Sequence, residues 1–280
     1  MSGFVMAAVL FAALLHAAWN ALVKAGRDKF LDTILIACSA ALVAAATLPF
    51  LPLPAAASWP YITASALVHI AYFALVAVAY RSGDLSYVYP IMRGTAPLLT
   101  ALFAGFFIAE QLGWGGWCGV LLISAGILLL AVNEWRLGRF QLAHTLFALG
   151  NAVVICIYTL IDGIGSRLSG NSFSYVGWIL AIDGAMLGGF LLLQRREAGM
   201  EQVRSRWQAG LGGGLCTWAS YAIALWAMTR APVALVAALR ETSVIFGTVL
   251  AGALLGERFG AARYAAVFLV CAGAVALKVS

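Results

Sequence analysis

The sequence has little charge. Asp, Glu, Lys and Arg make up only 10% of its 280 residues, whereas 64% are hydrophobic and the mean hydropathy is +0.97. A soluble domain carries about 25% charged residues, because its surface faces water. This shortage of charge excludes a soluble enzyme, a disordered chain and a nucleic-acid-binding protein.

Long polar stretches are missing as well. The apolar residues fall into blocks of about 20, the length of a helix that crosses about 30 Å of hydrocarbon. The strands of a transmembrane β-barrel would be about ten residues long and would alternate in polarity. The predicted fold class is therefore an all-α polytopic membrane protein with ten transmembrane helices. These helices run roughly over residues 3–24, 32–51, 60–80, 86–108, 114–133, 141–162, 173–194, 207–229, 232–255 and 260–278.

Motifs of enzymes and metal sites are also missing. The five cysteines form no CxxC pair, and the sequence has no P-loop, HExxH or GxSxG motif. A membrane-embedded enzyme stays an alternative from another class, because residues 162–183 are similar to the signature of metal-dependent phospholipid synthases. That stretch ends in Asp183 alone where two carboxylates are needed. We therefore predict no catalytic residue, no metal site and no cofactor.

The basic residues are distributed unevenly between the two sides of the predicted bundle. Twelve Lys and Arg residues lie in the odd-numbered connections, and only Arg167, Arg230 and Lys278 lie on the opposite side. The positive-inside rule assigns the side rich in Lys and Arg to the cytoplasm. The sequence therefore predicts that both termini lie outside the cytoplasm.

The second half of the sequence repeats the first half. A shift of 147 positions, without a gap, pairs Arg93 with Arg240, Thr95 with Thr242, Gly105 with Gly252, Glu110 with Glu257, Gly113 with Gly260 and Gly126 with Gly273. We predict one membrane domain made of a first five-helix repeat at 1–138 and a second at 139–280. Five is an odd number, so the two repeats would cross the membrane in opposite senses. Inverted repeats are typical of secondary transporters, whose substrate site lies near the midplane.

Each repeat contains an apolar helix that ends in Glu, a short Gly-containing turn and a Gly-rich apolar helix, as in AEQLGWGGWCG at 109–119 and GERFGAARYAA at 256–266. In this pattern the whole chain resembles the drug/metabolite transporter superfamily in its ten-helix EamA-type form, and within it the YddG-like exporters of aromatic amino acids. The resemblance implies an alternating-access carrier in the bacterial inner membrane. Its substrate would be an amino acid or related small metabolite leaving the cytoplasm. It would work in the lipid bilayer as a monomer or weak homodimer, without nucleic acid. The predicted orientation departs from that family, whose exporters are often drawn with both termini in the cytoplasm.

Polar and aromatic residues inside the predicted spans share helix faces at spacings of three and four. A charge at the centre of a span costs about 2.5–3.5 kcal/mol on insertion scales, which makes such residues functional candidates. The predicted substrate-binding residues are His16, Trp19, Asn20, His69, Tyr72, Tyr89, Arg93, Tyr158, Trp178, Trp218, Tyr221, Arg240 and Glu241. This set suits a zwitterion, with Arg93 or Arg240 on its carboxylate and aromatic rings around its side chain. Pro90 and Pro97 flank Arg93 as predicted hinges, and the ninth span has no corresponding prolines.

These assignments have structural alternatives. Arg93 and Arg240 are also explained by neutralisation through a carboxylate such as Glu241, and the two histidines by hydrogen bonds between helices. Asp162 and Asp183 are candidate proton carriers, and a place at the membrane edge is the alternative explanation for Asp162. A drug, a sugar or a nucleotide derivative stays the alternative cargo of the same fold.

Overall fold

The computed structural model of the chain describes residues 1–82, 85–255 and 260–279, with the side chains of 76–86, 139, 251 and 253–255 excepted. Every regular element within these ranges is helical. The α-helices are α1 Gly3–Lys24, α2 Lys29–Thr47, α3 Trp59–Ser82, α4 Leu85–Phe107, α5 Trp114–Glu134, α6 Leu142–Leu168, α7 Ser172–Gln194, α8 Arg196–Met228, α9 Val233–Arg240, α10 Ser243–Leu255 and α11 Ala261–Val279.

Nine helical segments in the described part of the chain are long and apolar enough to cross a membrane, with lengths of 18 to 33 residues. They include eight of the predicted segments in close to their predicted positions, and the ninth runs over Val233–Leu250. The predicted segment at 60–80 is helical too, as α3. The prediction of an all-helical, polytopic membrane protein is therefore confirmed.

Two helices are longer than their apolar stretches predict. α6 continues to Leu168, six residues past the predicted end at 162. α8 begins at Arg196, inside a segment predicted as a break, and bends at Arg206, where φ is −134° and ψ is 20°. Arg, Glu and Gln are good helix formers, so a charged stretch can continue a helix beyond the apolar core of the membrane.

Contacts to a buried aspartate hold this charged part of α8. Asp32 of α2 is 2% exposed, and its Oδ1 accepts hydrogen bonds from Arg206 Nε and Gln202 Nε2, each at 2.7 Å. Arg206 also donates to the carbonyl of Leu22 at 2.8 Å. One arginine thus joins the charged part of α8 to the end of α1 and the start of α2. These contacts explain why α8 begins before the predicted start at 207.

The predicted ninth helix at 232–255 is wrong as a continuous element, because it consists of α9 and α10. At the break, the N–H groups of Glu241 and Thr242 donate to carbonyls three residues back, at 3.0 and 3.1 Å. The Thr242 hydroxyl also donates to the carbonyl of Leu239 at 2.7 Å. Such local side-chain hydrogen bonds compete with the α-helical pattern, and they break the helix without Gly or Pro.

The break follows Arg240 directly, and the aligned Arg93 of α4 is also followed by a weak point. Pro97 lies four residues after Arg93 and has no N–H to donate to the Arg93 carbonyl. Both arginines therefore lie where a helix loses regular backbone hydrogen bonds, by a proline in α4 and by a tightened turn after α9. The ninth span has no prolines that correspond to Pro90 and Pro97, and its weak point is this turn instead. The hinge roles of Pro90 and Pro97 stay predictions.

The helices pack as pairs that link the two halves of the chain. α1 packs on α8 and α10, α2 packs on α7 and α8, and α6 packs on α3 and α4. α5 packs on α4 and α11, and α4 also contacts α9. Most helices of the first half therefore have their main partners in the second half.

Glycine allows the close approach of α5 and α11. A Cβ atom at Gly119 would lie 2.9 Å from the carbonyl oxygen of Gly273, and a Cβ atom at Gly126 would lie 2.9 Å from that of Ala266. Small residues of this kind let helix backbones meet inside a bilayer, where packing drives association.

We expect the Gly119→Ala substitution to destabilise the protein by about 1–3 kcal/mol, because the added methyl group overpacks this backbone contact. Gly150→Ala is the matched control, since nothing lies within 4 Å of a Cβ atom at this helical glycine. That control should be neutral or stabilising by up to about 1 kcal/mol. Unfolding of the purified variants in detergent measures both. Equal losses of stability in the two variants would contradict the close packing of α5 and α11.

Candidate functional site

A buried ion pair joins the two halves of the chain at the centre of the bundle. Arg93 of α4 and Glu241 at the break after α9 place Nε and Oε2 2.9 Å apart, and their side chains are only 9% and 6% exposed. The guanidinium also lies over the ring of Tyr89, 6.0 Å from its centroid. Glu241 thus neutralises Arg93 in the interior, where an unpaired charge is costly.

His16 of α1 lies between two hydrogen-bond donors. The Arg93 guanidinium is 3.3 Å from its Nε2, and the indole Nε1 of Trp19 is 3.3 Å from its Nδ1. A neutral imidazole has one acceptor nitrogen, so it can accept from only one of these groups. An oxygen atom of a ligand would satisfy the donor that His16 leaves unpaired.

Arg240 differs from Arg93 in its surroundings, although the two residues align in the repeat. Its guanidinium lies over the ring of Tyr221, 5.7 Å from the centroid. Its Nε is buried without a hydrogen-bond partner, and no carboxylate of the described residues forms an ion pair with it. Arg240 therefore offers an N–H donor, Nε, that no group of the described residues accepts, and the carboxylate nearest to its charge, Glu241, pairs with Arg93.

A second buried cluster lies on α3, α6, α7 and α8. Nδ1 of His69 and Oδ2 of Asp183 are 2.7 Å apart, and both residues are buried. The His69 ring makes an edge contact with the Tyr158 ring at 4.7 Å and lies 6.1 Å from that of Tyr221. The Tyr72 ring packs on Tyr158 at 5.9 Å. Two tyrosine rings thus lie against the His–Asp pair, and a third packs behind them.

Asp162 is the most deeply buried acid of this cluster, with no exposed surface. Its Oδ1 accepts a hydrogen bond from the Tyr175 hydroxyl at 3.1 Å, and its Oδ2 accepts one from the Tyr221 hydroxyl. Asp162 is covered by α7 and α8, so its carboxylate is surrounded by protein groups. Its depth in the membrane stays a prediction. Its partners in these contacts are neutral phenols.

Tyr221 connects the two clusters. Its ring lies under the Arg240 guanidinium, and its hydroxyl donates to Asp162. A positive group therefore lies over the ring of this tyrosine, and a carboxylate lies at its hydroxyl. This arrangement suits a ligand that carries both a carboxylate and an ammonium group.

The other predicted residues have more local contacts. Asn20 donates to the carbonyl of His16 in its own helix at 2.8 Å. The Trp178 ring packs on Trp59 with centroids 5.1 Å apart. Trp218 lines an apolar cavity of about 220 Å³ together with Thr47, Phe50, Leu51 and Phe173. Among the described residues, neither tryptophan forms a hydrogen bond or a cation–π contact with a charged group.

Sequence reasoning left Asp162, Tyr175 and Asp183 out of the predicted site. The spacing of Tyr158 and Asp162 by four residues was a usable signal, because it puts both side chains on one face of α6. The His69–Asp183 pair joins residues 114 positions apart on α3 and α7, so no periodicity within one helix reveals it. The described residues contain no group of three or more His, Cys, Asp and Glu side chains that could hold a metal ion.

Comparisons with known proteins agree with this architecture. Residues 143–278 match the model of the EamA-like transporter family. The match covers the second half of the chain. It supports a membrane transporter of the drug/metabolite type that handles small molecules within the bilayer. A comparison with curated proteins finds no match.

Solved structures share the fold. One crystal structure, titled "Crystal structure of protein", superimposes with a TM-score of 0.75 over 99% of this chain and 96% of its own length, at 20% sequence identity. This likeness establishes a common fold for the whole chain, including the half that the family model does not cover.

The ion pair between Arg93 and Glu241 gives a test by a double-mutant cycle. We expect Arg93→Gln to destabilise the protein by about 3 kcal/mol, since it leaves the Glu241 carboxylate buried without its partner. The double variant Arg93→Gln/Glu241→Gln should recover most of this loss, because it buries no charge at either position. Unfolding titrations in detergent give the stabilities. Arg204→Gln, at an exposed position, should stay within about 0.5 kcal/mol of the parent. A double variant that is less stable than Arg93→Gln would contradict the claim that Arg93 and Glu241 neutralise each other.

Proposed function

We propose that the chain is an EamA-type carrier of the drug/metabolite transporter superfamily that moves amino acids or closely related zwitterions by alternating access. Ten helices would cross the membrane, with α3 as the tenth span and α9 and α10 together as one broken span. The cargo would bind between the two repeats, at the clusters around Arg240, Tyr221 and Asp162, and reach each side of the membrane in turn.

The packing of the helices supports an inverted repeat with units at 1–138 and 139–280. Exchange of the two repeats turns the pair of α3 and α6 into the pair of α8 and α1, and both pairs are in contact. The same exchange turns the 2.8 Å approach of a Cβ atom at Gly273 to the Gly119 carbonyl oxygen into the 2.9 Å approach of a Cβ atom at Gly126 to the Ala266 carbonyl oxygen. A chance arrangement of helices would not reproduce its own contacts under this exchange.

The observation that carries the proposal is the unequal environment of the two aligned arginines. Arg93 is neutralised by Glu241, whereas Arg240 has no carboxylate partner among the described residues. The position that aligns with Glu241 in the first repeat is Gly94. A Cβ atom there would lie 2.8 Å from Cγ of Leu128, so the packing of α4 on α5 leaves no room for a carboxylate side chain. The carboxylate of the cargo would take the place that no side chain of the first repeat can fill.

The rest of the cargo would meet the second cluster. Asp162 and the rings of Tyr158 and Tyr221 offer an ammonium group a buried carboxylate and two π faces. Tyr72 and Tyr89 extend the aromatic wall, which favours a neutral or aromatic side chain. This combination of groups is the basis for an aromatic amino-acid exporter, similar to the YddG-like carriers, as the first cargo to test.

Other cargoes fit the charges less well. A phosphorylated cargo, such as a nucleotide derivative, would need several unpaired basic groups, and Arg240 alone offers this in the described interior. A sugar would leave the Arg240 charge unpaired. A drug without a carboxylate would do the same. The distribution of Lys and Arg supports an orientation with both termini outside the cytoplasm. The bacterial inner membrane as the location and export as the direction rest on the resemblance to EamA-type exporters, whose usual orientation is the reverse.

Transport by the purified protein in liposomes tests the proposal. We expect counterflow of labelled neutral and aromatic amino acids. Arg240→Gln should raise the half-saturating concentration about tenfold or more, because it removes a charge-assisted hydrogen bond to the carboxylate. Arg196→Gln, at an exposed position, is the matched control and should transport like the parent.

Two results would overturn parts of the proposal separately. Absence of flux for every labelled amino acid, with or without a pH gradient, would exclude amino acids as the cargo. Flux with the parental half-saturating concentration in Arg240→Gln would leave the transporter but remove Arg240 from its site.

A further inference from the structure

Glu110, the acidic residue of the repeated motif, contacts the start of α9 instead of solvent. Its Oε1 accepts a hydrogen bond from the Val233 N–H at 2.9 Å, and its Oε2 lies 3.5 Å from the Ala234 nitrogen. Pro232 precedes α9 and gives it no side-chain cap. The free N–H groups at a helix start attract negative charge, so Glu110 caps α9 from the other half of the chain.

Arg167 fixes this cap from the end of α6. Its guanidinium is 2.6 Å from Glu110 Oε1, and it donates to the carbonyls of Met228 at 2.9 Å and Ala231 at 3.1 Å. One residue of the first repeat is thus tied to the ends of α6, α8 and α9 in the second repeat. We call Glu110, Arg167 and the first turn of α9 the latch.

The backbone before Glu110 is strained in a way that aims its side chain at α9. Ala109 has φ 56°, in the left-handed region where a residue with a Cβ atom is strained. The N–H of Glu110 donates back to the carbonyl of Ala104 at 3.2 Å, and that of Ile108 to the same oxygen at 3.0 Å. Glycine is the usual residue at such a helix end. An alanine is kept in this conformation by its surroundings, and the docked Glu110 side chain is part of them.

The latch and the candidate cargo arginine lie at opposite ends of the same short helix. α9 has eight residues, which corresponds to about 12 Å of length. Its first residue is held by Glu110, and its last residue is Arg240. A movement of α9 in response to ligand at Arg240 must therefore shift the N–H groups that Glu110 holds.

We propose that the latch keeps this end of the transport path closed, and that α9 couples its release to binding at Arg240. The inference rests on the proposed alternating access, because opening this end separates the repeats and breaks the contact of Glu110 with α9. By the distribution of Lys and Arg, this end faces away from the cytoplasm. Glu110 is a positioning residue here, since it acts on the cargo site through α9.

The accessibility of a buried position under the latch tests the inference. Ala234 is 0% exposed in the first turn of α9. In a background whose five cysteines are replaced by alanine, the Ala234→Cys variant is treated with a water-soluble maleimide. Glu110→Ala should raise the labelling rate about tenfold or more, since it removes a charge-assisted hydrogen bond. Glu110→Gln should give an intermediate rate, because its amide oxygen still accepts from the Val233 N–H.

Two controls separate opening of this end from a general loss of structure. Glu201→Gln, at an exposed position of α8, should leave the labelling rate at position 234 unchanged. The second control is Leu31→Cys, at a buried position in the first turn of α2. Its maleimide labelling rate should be the same with and without Glu110→Ala. A merely structural role of Glu110 would raise the labelling at both positions.

A parental rate at position 234 in both Glu110 variants would overturn the latch, and so would equal increases at 234 and 31. If Glu110→Ala does not purify as a monodisperse protein, Glu110→Gln decides alone by the direction of its change at position 234. Labelling requires no cargo, so a failure of the latch is distinguishable from a failure of the proposed transport function.

Discussion

The arrangement of this protein depends on the cost of an arginine charge inside a membrane protein. The duplicated sequence brings two arginines, Arg93 and Arg240, into the interior at aligned positions. In the described part of the chain one carboxylate, Glu241, is placed to neutralise them, and it pairs with Arg93 across the boundary between the two repeats. An ion pair at this place joins the repeats, and the remaining arginine gives the interior an attraction for a carboxylate.

The break between α9 and α10 is what allows this division. It puts Arg240 and Glu241, which are neighbours in sequence, on different sides of a turn, so that Glu241 reaches α4 while Arg240 lies over Tyr221. The short α9 that results is tied to other elements at both ends, by Glu110 at its start and by the interior charges at its end. Cargo recognition and closure of the path would then act on one eight-residue element.

The sequence predicted the helical class, the positions of most spans and several shared faces, because hydropathy and helical spacing are properties of single segments. His16 with Trp19, and Tyr158 with Asp162, were recognisable in this way. The break after Arg240 was not, because a Thr side chain and tightened hydrogen bonds cause it and neither Gly nor Pro marks it. The end of α6 and the start of α8 were also missed, since these turns are stabilised by contacts with other helices.

The partners of the charged residues could not be predicted from the sequence either, because helical spacing relates residues of one segment only. The pairs of His69 with Asp183 and of Glu110 with Arg167 join helices that are far apart in the chain. The repeat itself pointed to Arg93 and Arg240, but it did not distinguish which of them binds a carboxylate of the cargo. Their difference arises from Gly94, whose packing on Leu128 leaves the first repeat without a counterpart of Glu241.

The most direct test of the central claim is the energetic coupling between the Arg240 side chain and the carboxylate of a ligand. Binding of phenylalanine and of phenethylamine, which lacks the carboxylate, is measured by calorimetry on the parent protein and on Arg240→Gln. The account predicts that the parent prefers phenylalanine by about tenfold or more and that Arg240→Gln loses this preference. The same preference for phenylalanine in both proteins, or none in the parent, would contradict the assignment of Arg240 as the carboxylate site.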